Sequence, residues 1–403
     1  MRSTRSPQRP ATPRSRPLRL FLGRPCLALA ALAVLAASML LAGAPAGAVA
    51  AGRTLYVTNG DSNDISLFRL GSTGKPVLEP PLMPTGQQPR QLQFSGDGRT
   101  AYVATALDDS VHQYRVGDDG RLTVLAPPVR TGDFPFGSLV ATSGRTFYTA
   151  NTADGTVSAF SIGLDGRLNE LGEPVATGEN SPRGLAMTPG GRFLYVSHGR
   201  PAITEDDVEP PGLVVIFAVG PKGELSRVGK PVEVERGGLG MSVTPDGRFL
   251  YVACEVLTSV SDRQLFGFAI GADGSLTPVP GSPYRAPDVP ISTAVTHDGK
   301  HLYVTSGGLN ANPDIATKVW GFAIAADGSL EPVPHAPFEA GRGPVGIALG
   351  PDGRRAYVST LRSELLTFAV EANGDLTLIH GPIKTAGLRP LFQSVAIGGL
   401  GPH

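Results

Sequence analysis

A short pattern of apolar residues around a tyrosine recurs seven times along the chain. The first copy reads Thr54-Leu55-Tyr56-Val57-Thr58-Asn59, and the later copies are centred on Tyr102, Tyr148, Tyr195, Tyr251, Tyr303 and Tyr357. Successive tyrosines lie 46, 46, 47, 56, 52 and 54 residues apart. A period of about 50 residues is typical of propeller or solenoid arrays. The pattern therefore predicts a repeat protein.

Each period contains three further segments with the character of strands. A run rich in β-branched and aromatic residues follows the tyrosine strand, as in Val157-Ser158-Ala159-Phe160. A turn, usually with Asp-Gly or Asn-Gly, leads to a third, proline-rich segment. We expect this segment at the outer edge of each sheet, because proline cannot donate a ladder hydrogen bond. The fourth segment is apolar and often small, as in Gly346-Ile347-Ala348-Leu349, and is predicted to line a central channel.

Four strands in each of seven periods predict an all-β fold, a seven-bladed β-propeller with four-stranded antiparallel blades. The pattern starts on a tyrosine strand and finishes on an inner strand at Phe392 to Ile397. We therefore expect residues 54–84 to recruit that last strand, which closes the ring and removes free sheet edges. An open solenoid is the alternative. The propeller is expected to occupy residues 51–403 as a single domain.

Residues 1–50 have the composition of a secretory signal peptide. Seven arginines and no acidic residue lie in residues 1–25, an apolar run follows from Cys26 to Leu41, and small residues surround the expected cleavage sites. A retained anchor is the alternative, although the run is shorter than the roughly 17 to 25 residues of a membrane span. We expect a secreted, extracellular protein with no membrane contact after cleavage.

The charge of the predicted mature chain excludes one class of partner. Without residues 1–50 the chain has 28 Lys plus Arg against 35 Asp plus Glu, a net charge near −7. Nucleic acid needs a basic face, so it is not an expected partner. Only Cys254 remains, so no intrachain disulfide is expected, and we interpret this residue as a small buried side chain.

Candidate chemistry lies on the propeller face that carries the loops between the first and second strands. These loops lengthen in three consecutive blades, and insertions into repeats usually mark the working face. They supply His198 and Glu255 as candidate catalytic residues. Near the starts of inner strands lie candidate ligand-binding arginines, which suit an anionic or carbonyl-bearing ligand: Arg90, Arg183, Arg236, Arg342 and Arg389. Solvated loop charges are the alternative interpretation.

The acidic run Glu205-Asp206-Asp207-Val208-Glu209 offers carboxylate oxygens, which calcium prefers. No Asp-x-Asp-x-Asp-Gly spacing accompanies it, so an exposed acidic loop is the expected state and no metal site is predicted. No cofactor is expected either, because the chain contains no P-loop, Cys-x-x-Cys or His-Glu-x-x-His motif.

The repeats resemble those of the lactonase-like and YVTN-repeat seven-bladed propellers, the group that includes 6-phosphogluconolactonase-type enzymes. Tyr56-Val57-Thr58-Asn59 spells the YVTN motif, and the resemblance covers residues 53–398. It implies lactone hydrolysis, which needs a base to activate water and a cation to stabilise the oxyanion. The arginines would supply the cation. His198, Glu255 or an acid of residues 205–209 would supply the base.

Two hypotheses follow. The segment Thr105-Ala106-Leu107-Asp108-Asp109 keeps only the final aspartate of the Asp-Leu-Gly-x-Asp segment shared by catalytic members of this group. The first hypothesis is therefore a secreted scaffold that binds a small anionic ligand or a protein partner, expected as a monomer. The alternative is a lactonase that acts on a small anionic sugar lactone.

Overall fold

The structure is a computed structural model, and it describes residues 54–199, 211–255, 264–286, 289–307 and 316–398. Within these ranges the chain forms 31 β-strands in seven antiparallel sheets. No helix long and apolar enough to cross a membrane is found among the described residues. The predicted signal peptide lies outside them.

The strands follow one another without an intervening helix in the described ranges. In chain order they are β1 (Thr54–Asn59), β2 (Asp64–Leu70), β3 (Pro76–Leu78), β4 (Met83–Pro84), β5 (Pro89–Phe94), β6 (Thr100–Thr105), β7 (Ser110–Val116), β8 (Leu122–Arg130), β9 (Pro135–Val140), β10 (Thr146–Asn151), β11 (Thr156–Ile162), β12 (Leu168–Glu170), β13 (Val175–Ala176), β14 (Pro182–Met187), β15 (Phe193–His198), β16 (Gly212–Val219), β17 (Leu225–Val234), β18 (Gly238–Val243), β19 (Phe249–Cys254), β20 (Leu265–Ile270), β21 (Leu276–Pro278), β22 (Pro290–Val295), β23 (His301–Ser306), β24 (Lys318–Ile324), β25 (Leu330–Pro332), β26 (Phe338–Glu339), β27 (Pro344–Leu349), β28 (Arg355–Thr360), β29 (Glu364–Val370), β30 (Leu376–Lys384) and β31 (Pro390–Ile397).

Each sheet is one blade, and the seven blades form a closed propeller. The strand order from the outer edge inward is β3-β2-β1-β31 in the first blade. Each of the six other blades is built from strands that are consecutive in the chain, four strands in four blades and five in the other two. In the first blade, β31 pairs with β1 through Leu55↔Ile397 and Tyr56↔Ala396. The predicted fold and its closure by the last strand are therefore confirmed.

The proline-rich strand lies at the outer edge of every blade, as predicted. In three blades it is divided into two short strands that both pair with the second strand: β3 and β4, β12 and β13, and β25 and β26. The inner strands begin earlier than the apolar pattern indicates. Six of the seven start on a proline, a residue that a strand tolerates at its first position.

The recurring tyrosine joins each blade to the next. All seven tyrosines are almost completely buried. Each hydroxyl donates to a glycine carbonyl in a turn of the following blade, at 2.5 to 3.5 Å. The last of these bonds, from Tyr357 to Gly74, crosses the ring closure. The accepting glycines all have positive φ, a conformation that other residues adopt only at a cost.

The residue just before each inner strand is also left-handed. Its φ lies between 51° and 70° in all seven blades, at Gln88, Phe134, Ser181, Gly237, Val289, Gly343 and Arg389. We call the face where the inner strands begin the upper face and the opposite face the lower face. The left-handed residue bends the chain where it enters the inner strand, at the upper end of the channel.

Candidate functional site

Side chains at the starts of the inner strands form a layer across the upper end of the channel, and most of them belong to the second residue of the strand. Five blades contribute apolar side chains to one buried cluster, which we call the apolar plug: Phe136, Leu239, Val289, Ile291, Val345 and Phe392. The two blades on either side of Phe136 place an arginine at this position instead, Arg90 in β5 and Arg183 in β14. The plug is therefore interrupted by two guanidinium groups.

Close backbone packing holds this layer in place. Gly137 follows Phe136, and a Cβ atom at Gly137 would lie 2.1 Å from the carbonyl oxygen of Arg183. Only glycine lets the inner strands of these two blades approach so closely. The position of Arg183 relative to Phe136 is thus set by the backbone.

Arg90 is buried, with 4% of its surface exposed. Its guanidinium carbon lies 4.4 Å from the ring centroid of Phe136 and 5.4 Å from that of Phe134. Nη2 donates to Oε1 of Gln88 at 2.8 Å. Burial, together with the charges of Arg183 and Arg389, lowers the pKa of Arg90 to about 9. The group remains mainly charged at neutral pH and is stabilised by the aromatic faces beside it.

Arg183 forms the buried ion pair of the site. Its Nη2 lies 2.8 Å from Oε2 of Glu255, and the Glu255 side chain has no exposed surface. The guanidinium carbon is 4.9 Å from the centroid of Phe136, the same ring that Arg90 contacts. Glu255 is held just beyond β19, where its amide donates to the carbonyl of Gly237 at 2.8 Å. Arg90, Arg183 and Glu255 therefore gather around Phe136, and we call them the arginine cluster.

Two buried N–H groups of this cluster have no hydrogen-bond partner within the described part of the chain. They are Nε of Arg90 and Nη1 of Arg183. An unpaired buried donor costs about 1 to 3 kcal/mol, and more when the group is charged. The cluster also contains two cations and one carboxylate. This arrangement suits an anionic or carbonyl-bearing ligand.

The chain also resembles known proteins. Residues 52–238 match a family model described as "Lactonase, 7-bladed beta-propeller". Over this matched part the chain is similar to the lactonase-like seven-bladed β-propellers. No curated protein matches this propeller significantly.

Solved structures share its fold. One is a candidate 6-phosphogluconolactonase from Bacteroides uniformis, 20% identical, with a TM-score of 0.67 over 85% of this chain and 98% of that one. Another is a periplasmic gluconolactonase of Pseudomonas aeruginosa, 19% identical, with a TM-score of 0.65 over 86% and 98%. A third, from Desulfotomaculum acetoxidans, is of unknown function, 16% identical, with a TM-score of 0.65 over 87% and 100%.

The lactonase-like propeller places His198 apart from the contacts that define the arginine cluster. His198 ends β15 and is buried, and its Nδ1 lies 3.1 Å from the carbonyl oxygen of Asn180. The nitrogen must donate there, so Nε2 carries the lone pair, and Nε2 has no partner among the described residues. Burial lowers the pKa of His198 to about 4 despite the Asn180 hydrogen bond, and the Arg227 charge lowers it further. The imidazole is neutral at pH 7.

The three other predicted arginines occupy more open positions. Arg236 is half-buried, while Arg342 and Arg389 are exposed. Nη1 of Arg389 lies 3.9 Å from Oδ2 of Asp61, near the surface. Their role in ligand binding stays a prediction. Cys254 is fully buried, as expected, and burial raises the pKa of its thiol.

The acidic run at residues 205–209, which was the calcium alternative, lies outside the described residues. Within the described ranges, no group of three metal-binding side chains comes together.

Sequence reasoning missed Phe136 and Gln88. Phe136 is the common platform of both arginines, and Gln88 accepts from Arg90. A signal for the platform is visible in hindsight: the dipeptides Pro89-Arg90, Pro135-Phe136 and Pro182-Arg183 occur at the same position of three consecutive blades. In these three blades, the side chain one residue after the proline lies in the plug layer.

Proposed function

We propose that this lactonase-like propeller hydrolyses a small anionic lactone at the arginine cluster. One observation carries the proposal: two buried guanidinium groups with unpartnered N–H groups flank one aromatic ring, next to a fully buried carboxylate. The similarity of residues 52–238 to the lactonase-like propellers supports the same reaction class.

The reaction needs little more than these groups. A water oxygen attacks the lactone carbonyl carbon while the carboxylate of Glu255 takes a water proton. The ring C–O bond then breaks as Glu255 returns that proton to the leaving ring oxygen, which gives a hydroxy acid. Negative charge develops on the carbonyl oxygen, where the free N–H of Arg183 would stabilise it. Arg90 would bind the anionic substituent of the substrate, since guanidinium groups recognise carboxylates and phosphates well.

Glu255 is preferred to His198 as the base for a physical reason. Glu255 is in direct contact with the cluster, at 2.8 Å from Arg183. Nδ1 of His198 bonds instead to the carbonyl of Asn180, outside the cluster. An acid in residues 205–209 is the remaining alternative.

The experiment measures hydrolysis of glucono-δ-lactone and 6-phosphogluconolactone by acid release, after subtraction of the spontaneous rate. Glu255→Gln, which keeps the shape of the side chain, is expected to lower kcat at least 100-fold, the lower range for loss of a general base. Arg90→Met is expected to raise KM mainly for the phosphorylated substrate. Arg130→Met changes an exposed arginine at the end of β8 on the same face and is expected to leave both constants unchanged.

The scaffold hypothesis makes the opposite prediction for the same cluster. A scaffold would bind an anionic ligand, such as 6-phosphogluconate, without turning over any lactone. Binding that Arg90→Met abolishes, combined with no catalysed hydrolysis, would establish the scaffold and reject the lactonase. Full activity in Glu255→Gln would reject Glu255 as the base.

A further inference from the structure

The lower part of the central channel contains a cavity of about 430 Å³. All seven blades contribute to its wall, through the later residues of their inner strands. The cavity opens on the lower face, where Pro189, Pro245 and His297 line it and are exposed. This volume lies within the range of roughly 300 to 1,000 Å³ that small-molecule sites occupy.

The apolar plug lies above this cavity and divides it from the arginine cluster. No residue of the plug lines the cavity, and neither do Arg90, Arg183 and Glu255. The plug side chains are themselves at least nine-tenths buried. The cavity is thus a space of its own, reached from the face opposite the proposed lactonase site.

The wall of the cavity excludes charged ligands. Its lining residues include no Asp, Glu, Lys or Arg, and the only titratable one is His297 at the exposed mouth. Leucine, isoleucine, valine, alanine and methionine side chains make up most of the wall, with Met187 and Met241 on adjacent blades. A charged molecule would lose its hydration there without gaining a counter-charge.

One side of the wall is polar, and it is built from glutamines. Gln91 and Gln93 in β5 and Gln393 in β31 line the cavity from adjacent blades. The amide Nε2 of Gln91 donates to Oε1 of Gln393, and Oε1 of Gln91 accepts from the amide of Ser138 at 2.7 Å. The glutamines therefore form the larger polar part of the wall, and the hydroxyls of Ser242 and Thr293, 2.8 Å apart, form a smaller one on two other blades.

Gln393 reaches this wall through a departure from the repeat. β31 has eight residues, whereas each of the six other inner strands has six. Its pairing with β1 shifts register, and Gln393 has a φ of 50°. Bulges re-aim side chains next to functional sites, and left-handed non-glycine residues persist where the surroundings impose them. All seven inner strands shift register against the tyrosine strand, but only β31 is two residues longer and has a left-handed residue within it, Gln393, which presents a second amide to Gln91.

We propose that the lower channel cavity binds a neutral small molecule that is mostly apolar and has hydrogen-bonding groups along one edge. Its apolar part packs against the methionine and aliphatic wall. Its polar edge faces Gln91, Gln93 and Gln393. The site is independent of the lactonase proposal, since the plug separates the two.

A pair of nearly isosteric fluorophores tests the charge preference. N-phenyl-1-naphthylamine is neutral, and its 8-sulfonate differs by one negative charge. Titration of the purified full chain should show one saturable site for the neutral probe with an emission increase, and the sulfonate should displace it at least tenfold more weakly than unlabelled neutral probe does. Equal displacement by the sulfonate would overturn the proposal.

Two variants test the location. Gln93→Trp fills the cavity from a half-buried position and is expected to weaken the neutral probe at least tenfold. Val124→Trp adds the same side chain on the outer rim, where Val124 is exposed, and should change nothing. Glu255→Gln should also leave this binding unchanged, which separates the result from any failure of the lactonase proposal. Unchanged affinity in Gln93→Trp would contradict the assignment.

A crystal soak decides the question without any variant. Crystals of the unmodified protein soaked with 4-bromobenzyl alcohol, a neutral probe, should show an anomalous bromine peak between the plug and His297. A bromine peak found elsewhere, or no peak in the channel, would overturn the proposal even if Gln93→Trp does not fold.

Discussion

The ion pair between Arg183 and Glu255 predicts a specific pattern of stability in single and double variants. The side chains are 7% and 0% exposed, and their charged atoms are 2.8 Å apart. Removing one partner of such a buried pair costs about 3 to 5 kcal/mol, because an uncompensated charge remains buried. Replacing both by neutral residues of similar size is often nearly neutral.

The two single variants should differ in size. In Arg183→Met, the Glu255 carboxylate still interacts with the charge of Arg90, because the Glu255 charge raises the pKa of Arg90. Glu255→Gln leaves Arg90 and Arg183 on the same ring, Phe136, without that carboxylate. We therefore expect a loss of about 3 kcal/mol for Arg183→Met and about 1 kcal/mol more for Glu255→Gln, with the double variant within about 1 kcal/mol of the native protein.

Urea unfolding measures these differences. The single tryptophan of the chain, Trp320 in β24, reports on the transition, and circular dichroism provides a second probe. A double variant that loses the sum of the two single losses would refute the coupling. So would single variants that each lose less than about 1 kcal/mol, because a buried pair cannot be weakened at so small a cost.

Three further predictions concern the scaffold. Tyr303→Phe removes a buried 2.8 Å hydrogen bond to Gly374 and should lower the free energy of unfolding in urea by about 1 to 2 kcal/mol. Tyr357→Phe removes a longer bond of 3.5 Å and should lower it by less than about 0.5 kcal/mol. Equal losses would contradict this order. Gly137→Ala should destabilise the protein by more than about 1 kcal/mol and reduce activity, because its Cβ would lie 2.1 Å from the Arg183 carbonyl; native stability and activity would show that the strands can separate. Burial lowers the pKa of His198 from 6.5 to about 4, so on acidification the unfolded chain binds a proton before the native protein does. The free energy of unfolding should therefore fall by roughly 3 kcal/mol as the pH drops from 6.5 to 4. This loss is measured as the difference between the native protein and His198→Gln across the range, and parallel pH profiles of the two proteins would refute it.

The fold could be predicted from the sequence because each period carries the same physical information. The tyrosine is invariant among the seven repeats for a reason that the structure makes clear: its hydroxyl bonds the next blade, from Tyr56 through Tyr357. The alternation of apolar residues, the turn glycines and the prolines of the outer edge all act within one repeat. Such local and repeated signals are readable without coordinates.

The site was less predictable, because it depends on the residue at which each loop ends and the inner strand begins. Arg90 and Arg183 follow the bend by one residue after a proline, so their side chains enter the plug layer. Arg342 and Arg389 precede the proline and remain exposed. A shift of two or three residues relative to the proline thus separates a buried guanidinium from a solvated one. Apolar periodicity alone does not resolve such a shift, since it places the starts of the inner strands too late.

The two proposed sites have a common origin in how a repeat fold acquires chemistry. Equivalent positions in the seven blades surround one axis. A residue type that all seven blades keep therefore makes the same contact in each blade and stabilises the whole ring, as the tyrosines do. Chemistry then requires one or two blades to differ from the others. Two blades differ at the upper end of the channel, where Arg90 and Arg183 replace apolar plug residues, and one differs below it, where the bulge at Gln393 adds an amide. Because the remaining blades keep the plug closed between these departures, an ionic site and a neutral cavity can share one channel without sharing a ligand.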